Sequence, residues 1–292
     1  MRDVAIPSSG IHPLSLKSLK IEVLNISDTV ISSATGFIVV KDGIKYLVSN
    51  YHVFSGRNWF EEKCPLGDSK TPCKVRIYIH TSEAPEDQKN MGFEPSTIEH
   101  VEDLYASGTE RFKYLTEEVE GSVEIVDVAC LPLTNPTDFA AISILDMNLL
   151  SRTHNDVLCC DAVKICGFPF GIAISDVFPI WKMGIISSEP SMGWRGLSCF
   201  VIDARTTSGM SGSPVYHVIS RAYQASSSMK ILGGPVVDNF VGIYSGRIQL
   251  PKEIKQKLSV SDQNIIGDSS VGLGLVWSRE YIYKILDFFN YK

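Results

Sequence analysis

From residue 34 onward, the apolar runs of this chain are short, and nearly all are stopped by turn residues. The stretch ATGFIVVKDGIKYLVSNYHVF sets the pattern. Phe37 and Val39 flank one side of Lys41-Asp42-Gly43, and the Tyr46-Leu47-Val48 run flanks the other. Asp-Gly between two such runs predicts a tight β-hairpin. KVRIYIHTS alternates Val75, Ile77 and Ile79 with polar neighbours, which predicts a half-buried strand. Further strand patterns follow in SVEIVDVACLPL, DAVKICGFPFG, FPIWKMGIISSEP, LSCFVIDARTTSG, SPVYHVIS and GPVVDNFVGIYSGRI. Only the end, WSREYIYKILDFFNY, has helical spacing, through Trp277, Tyr281, Ile282, Ile285, Leu286 and Phe289, with Ser278 as candidate N-cap.

About a dozen short strands at turn-punctuated intervals predict an all-β fold of two packed antiparallel barrels, each six-stranded, with a C-terminal helix. The chain reads as one unit over 1–292. An N-terminal arm and first barrel occupy about 1–150; the second barrel and the helix occupy about 151–292. Residues 83–122 are rich in acids and lack a sustained apolar period, so they are expected to form a surface insertion, with room for a short helix.

The formal net charge of -6 gives no basic footprint for nucleic acid or a membrane surface. The N-terminus has no uninterrupted apolar segment behind a basic start, and no apolar run reaches the length of a membrane span. Most of the seven cysteines sit inside apolar runs, where a free thiol acts as a small hydrophobe, and there is no C-x-x-C. A cytoplasmic protein with reduced cysteines is expected. Cys64 and Cys73, both in a polar stretch, are the one pair with an opportunity to bond.

The chemistry turns on SGMSGSPV, where Gly209 and Gly212 lie on either side of Ser211. A serine hydroxyl is a poor nucleophile without a base, and the base needs an orienting carboxylate. His52 follows the run YLVSN, so a strand end would deliver it rigidly into a small loop. A hydrogen-bonded structural histidine accounts for the local pattern as well. Asp127 sits in the apolar run EIVDVACLPL, where a charge is costly unless paired, and a histidine N–H is one suitable partner. A strand end at the surface is the other reading. Gly209 permits the sharp turn that would aim its own N–H and that of Ser211 at an oxyanion. Gly212 permits close approach of a neighbouring wall. A G-x-S-x-G match also suggests the strand–elbow–helix of α/β-hydrolases, but Pro214 and a strand pattern follow here. The order His52…Asp127…Ser211 is that of chymotrypsin.

On these residues the chain resembles the chymotrypsin-fold (trypsin-like) serine peptidases from about residue 34 to its end. TGFIVVKDGIKYLVSNYHVF is similar to the strand pair that ends in the catalytic histidine, VDVACLPL to the aspartate strand, and DARTTSGMSGSPVY to the serine loop. GFPFG…KMGIIS and GLGLVWSREYIYKIL resemble the bacterial Deg/HtrA peptidase domains, and the serine loop resembles that of the bacterial glutamyl endopeptidases.

The resemblance implies His52 as general base, Asp127 as its orienter, Ser211 as nucleophile, and the N–H groups of Gly209 and Ser211 as oxyanion hole. It implies a specificity pocket walled by Thr206-Thr207-Ser208 and by Ile243-Tyr244-Ser245-Gly246, with no metal or organic cofactor. Thr206 matches a threonine that helps glutamyl endopeptidases bind a carboxylate, whereas Tyr244 replaces their histidine. Arg205 and Arg247 flank the two segments. The implied activity is endopeptidase action on proteins or peptides, with an acidic or small polar residue before the cut bond. A peptide-binding module without catalysis is the alternative, and a metal-dependent hydrolase finds no H-E-x-x-H.

Met210 stands where the digestive branch has the aspartate that pairs with a newly cut N-terminus, so zymogen activation of that kind is not expected. Restraint would then fall to the 83–122 segment, the N-terminal arm or a regulatory protein partner.

Overall fold

The computed structural model describes residues 11–57, 71–81, 96–134 (without 108, 110 and 118–125), 144–145, 157–249 (without 177, 195, 221, 222, 226–228 and 232–235) and 270–289. The expected hairpin is formed by β2 (Val30–Lys41) and β3 (Ile44–Ser49). Asp42 and Gly43 at its turn have φ of 49° and 79°. Two successive left-handed residues match the twist of the flanking strands, and Asp-Gly supplies them at low cost.

Around this hairpin lie β1 (Leu19–Leu24), β4 (Lys74–Thr81), β5 (Ser96–Asp103) and β6 (Ala129–Pro132). The sheet order is β5-β4-β1-β2-β3-β6, with every pairing antiparallel. A second set comprises β7 (Ala162–Gly167), β8 (Ile180–Ile186), β9 (Cys199–Asp203), β10 (Pro214–Ser220), β13 (Val236–Gln249) and β14 (Ser270–Ser278). It closes into an antiparallel barrel because β10 pairs with both β13 and β7. Strands β11 (Tyr223–Ala225) and β12 (Met229–Ile231) form a separate ribbon. The all-β architecture is as expected, but only the second six-stranded sheet closes; the first is a half-barrel, with Leu115 rather than β5 paired to Cys130 of β6.

Three apolar clusters hold these sheets. Ile21, Ile38, Leu47 and Ile77 fill the first sheet, and Ile165, Ile202, Val215 and Val276 fill the barrel. Phe37, Val48, Tyr216, Phe240 and Trp277 lie between the two, joined by Tyr281, Ile282, Ile285 and Leu286 of the C-terminal helix α2 (Glu280–Phe289). That helix starts later than its apolar spacing suggests. Trp277 and Ser278 finish β14, where Trp277 pairs with Ile243 and Cys199. The Ser278 hydroxyl does accept the Glu280 N–H at 3.3 Å.

Two segments differ from expectation. Leu19–Leu24 of the arm is a strand inside the first sheet, paired with β2 and β4. The arm also grips the barrel: Ser18 Oγ donates to the Cys166 carbonyl at 2.7 Å, and Trp181 Nε1 donates to Ser15 Oγ at 2.9 Å. Within 83–122, residues 96–103 form β5 of the first sheet, while 83–95 and 118–122 lie outside the described residues.

On β5, Glu102 is 2% exposed and accepts from His100 Nε2 (3.1 Å), Thr134 N–H (2.9 Å) and Lys113 Nζ. Burial by itself would raise its carboxyl pKa, but the hydrogen bonds from His100, Lys113 and Thr134 prevail and hold it at about 2. A carboxyl depressed on folding adds stability above its ordinary pKa and loses it as pH falls through the depressed value. Glu102→Gln is therefore expected to cost roughly 2–3 kcal/mol at pH 7. That difference should shrink steadily as the pH falls from 4.5 towards 2, as read by denaturant melts across that range.

Candidate active site

β3 ends at Ser49, and the chain turns into a single-turn helix α1 (Tyr51–Ser55). His52 thus stands on a helical turn and not in a loop. Gly56, at φ 66°, ends the turn and donates its N–H to the His52 carbonyl at 3.0 Å. Buried Tyr51, Val53 and Phe54 anchor the turn in the first sheet, leaving the His52 side chain 31% exposed.

Asp127 immediately precedes the lead into β6 and is fully buried. Its carboxylate is closely engaged. Oδ1 accepts the His52 N–H at 2.9 Å, His52 Nδ1 lies 2.8 Å from Oδ2 and 3.0 Å from Oδ1, and the Ser245 hydroxyl donates to Oδ2. Asn50 Nδ2 donates to the Asp127 backbone carbonyl at 2.7 Å, so the residue before the helical turn also fixes the aspartate. With Nδ1 donating to the carboxylate, a neutral His52 carries its lone pair on Nε2. Burial alone would lower the His52 pKa, but the charge and hydrogen bond of Asp127 more than compensate, raising it above the usual 6.5.

Ser211 lies on the turn between β9 and β10. Its hydroxyl donates to the Ser245 carbonyl at 2.8 Å. Ser245 therefore touches both other groups, the aspartate through its hydroxyl and the serine through its carbonyl. Among the described residues, no hydrogen bond joins Ser211 Oγ to His52, whose bonds go to Asp127. A half-exposed serine changes rotamer readily, and hydrogen bonds between such groups often tighten only with a ligand bound.

The glycines beside Ser211 have steric reasons to be there. Gly209 has φ of 87°, and a Cβ on it would lie 2.4 Å from the Phe168 carbonyl oxygen. Gly212 has φ of 84°, and its Cβ would lie 1.9 Å from the Thr35 carbonyl oxygen and 2.3 Å from Ser49 Oγ. The neighbouring wall expected beside Gly212 is thus β2 with the end of β3.

Thr206 and Tyr244 are buried with their hydroxyls hydrogen-bonded to each other. The Tyr244 ring packs on Gly274, where a Cβ would come within 2.5 Å of Cε2. Burial pushes the Tyr244 phenol up to about 12, against the opposing effects of Thr206 and the Arg247 charge, so it stays neutral. Thr207 is half-buried and Ser208 exposed, and next to Gly246 there is open space. Arg205 and Arg247 are exposed. Met210 is fully buried in the barrel interior with Tyr244 and Val276.

Two residues with a place in this geometry carry no local sequence signal for it. Ser245 reads as pocket wall, yet its side chain faces Asp127. Thr35 reads as an ordinary strand residue, yet its hydroxyl donates to the Gly209 carbonyl at 2.9 Å. Cys130, Cys166 and Cys199 are buried free thiols. Cys73 is a free, half-buried thiol too, so the bond it had the opportunity to make with Cys64, itself outside the described residues, is not made. Among the described residues, no group of three or more His, Cys, Asp or Glu side chains is arranged to hold a metal ion. No helix among them is long and apolar enough to cross a membrane.

Residues 34–222 match the family model of a trypsin-like peptidase domain. No curated protein matches the chain. Among solved structures, the chain is similar to a serine endoprotease from Yersinia pestis, at 14% identity and a TM-score of 0.44, over 94% of this chain and 62% of that one. It is also similar to the active form of the Rv3671c protease from M. tuberculosis, at 15% identity and a TM-score of 0.41, over 94% of this chain and 80% of that one. The inactive form of the Rv3671c protease is matched at 15% identity and a TM-score of 0.41, over 94% and 89% of the two chains.

Proposed function

The chain belongs to the trypsin-like peptidase domain family, and from that premise we propose that it is a serine endopeptidase working through an acyl-enzyme, with Ser211 as nucleophile, His52 as base and Asp127 as orienter. The observation that carries this reading is the doubly bonded contact of His52 Nδ1 with a buried Asp127, which leaves Nε2 as the basic nitrogen. Ser211 Oγ, turned from Ser245 towards Nε2, attacks the scissile carbonyl carbon as its proton passes to Nε2. Asp127 stabilises the imidazolium formed and keeps the ring in the correct tautomer. The N–H groups of Gly209 and Ser211 receive the oxyanion. Collapse of the tetrahedral species breaks the C–N bond, and Nε2–H protonates the leaving amine. Water, deprotonated by the same nitrogen, then attacks the acyl carbon, and the ester bond to Ser211 breaks as Nε2–H returns its proton to Oγ.

The pocket we assign to the residue before the cut bond is walled by Thr206, Thr207, Ser208, Tyr244, Ser245 and Gly246. Of the acidic and small polar options, the Thr206–Tyr244 hydroxyl pair favours the small polar one. It is neutral, and a carboxylate buried against it would need a counter-charge that exposed Arg205 and Arg247 supply only weakly. Buried free thiols at Cys130, Cys166 and Cys199 support a cytoplasmic setting, where protein or peptide substrates and a regulatory protein partner would be met.

A fluorophosphonate probe should label the wild-type protein on Ser211, and proteome-wide cleavage-site profiling should show small polar residues, with acidic ones second, before the cut bond. Absence of labelling, under conditions that label a related peptidase, would favour a peptide-binding module. Cleavage mainly after Lys, Arg or large apolar residues would overturn the pocket assignment.

A further inference from the structure

Gly209 lacks a side chain to restrict its backbone, yet its N–H must point in one direction to receive an oxyanion. In a trans peptide, the N–H points opposite to the carbonyl of the preceding residue, so whatever anchors that carbonyl aims the N–H. The Ser208 carbonyl, in the same peptide as the Gly209 N–H, accepts the Phe170 N–H at 2.7 Å. On the other side of Gly209, its own carbonyl accepts the Thr35 hydroxyl at 2.9 Å. That same hydroxyl accepts the Phe168 N–H at 3.1 Å, which fixes the short turn carrying Phe170. The Thr35 backbone N–H donates to the Ser211 carbonyl at 2.9 Å, and Ser49 Oγ donates to the Thr35 carbonyl at 2.8 Å.

Thr35 is fully buried on β2, in the first sheet, while every serine-loop group it holds belongs to the second barrel. The approach is close on all sides. A Cβ on Gly167 would lie 2.8 Å from Thr35 Oγ1, and one on Gly212 1.9 Å from the Thr35 carbonyl oxygen. One hydroxyl, with its single donor and an acceptor site both in use, thus joins the Phe168–Phe170 turn to the Gly209 peptide. β-Branching restricts its χ1, so the join is stiff.

We propose that Thr35 is a positioning residue for the oxyanion hole: its hydroxyl ties the first sheet directly to the peptide plane after Gly209 and, through the Phe168–Phe170 turn, to the plane before it, and so aims the Gly209 N–H. The inference rests on the assignment of Ser211 as nucleophile and of the Gly209 and Ser211 N–H groups as oxyanion donors. Thr35 itself touches no substrate.

The test compares full-length wild type, Thr35→Val and Thr35→Ser, using a cleavable peptide, the fluorophosphonate probe and a peptide aldehyde that places an oxyanion in the hole. Loss of one oxyanion donor costs about 10²–10³ in kcat, and misaiming it should cost part of that. For Thr35→Val, kcat should fall about 10–100-fold with KM within about 3-fold, and the aldehyde should bind more weakly by a factor matching the loss in kcat/KM. Thr35→Ser should stay within about 5-fold of wild type in all three readouts. If Thr35→Val fails to fold, Thr35→Ala carries the same expectation.

Two results would overturn the inference while leaving the peptidase reading intact: a labelled wild type with valine and alanine variants equally fast, or a serine variant as impaired as valine. A wild type that neither labels nor turns over would sink both together.

Discussion

Ser211→Ala is expected to lower kcat/KM for a cleaved peptide by at least about 10⁴-fold and to abolish fluorophosphonate labelling. The reason is chemical and not structural. The hydroxyl's one hydrogen bond as donor goes to the Ser245 carbonyl, and the residue is only half-buried. Losing that bond should change stability by no more than about 1 kcal/mol. The variant should therefore keep its melting temperature and still bind peptides, which separates a lost nucleophile from a lost fold. Steady-state kinetics with calorimetry on the same preparations measure both. Residual activity above about a tenth of wild type would mean that Ser211 is not the nucleophile, and would reopen a metal-dependent hydrolase or another nucleophile.

Several features of the fold and of the candidate site's geometry were legible because their signals are local. Asp42-Gly43 announced a turn whose two left-handed residues are present. Asp127, in an apolar run, implied a buried, partnered carboxylate, and it is fully buried against His52. Gly212 implied a close wall, and Thr35 and Ser49 form it. The helical turn bearing His52 was not legible, because five residues are too few for helical spacing to register. Nor was β5. The β4–β5 register sets His100 and Glu102 opposite buried Ile77 and Val75, while Ile98 and Val101 of β5 are exposed, so its more buried positions are polar and its apolar ones are not buried. A strand whose inner face carries an ion-pair cluster has no apolar period to detect. Ser245 and Thr35 are different again. Their partners lie 118 and 174 residues away in the chain, so only the folded arrangement gives them meaning.

Asp127→Asn is expected to be nearly as damaging as losing Ser211, and its pH dependence identifies the cause. An asparagine amide would donate to His52 Nδ1, placing the ring proton on Nε2 and removing the lone pair that must accept the serine proton. A drop in kcat of about 10⁴ is expected at neutral pH. On the proposed mechanism, catalysis in wild type needs neutral His52. Since Asp127 raises the His52 pKa above 6.5, the acid limb of kcat/KM should have its midpoint above that value. In Asp127→Asn only the lowering effect of burial remains, so the limb should move below 6.5.

Stability should respond in the matching sense. A histidine whose folded pKa is raised contributes stability that is complete below its ordinary pKa and is lost as pH rises through the folded value. The destabilisation caused by Asp127→Asn should therefore be larger at pH 5.5 than at pH 8.5. Denaturant melts at the two pH values, beside the pH–rate profiles, measure both consequences. An acid limb that stays in place in the variant would mean that His52 takes its basicity from elsewhere, and the base–orienter assignment would fall.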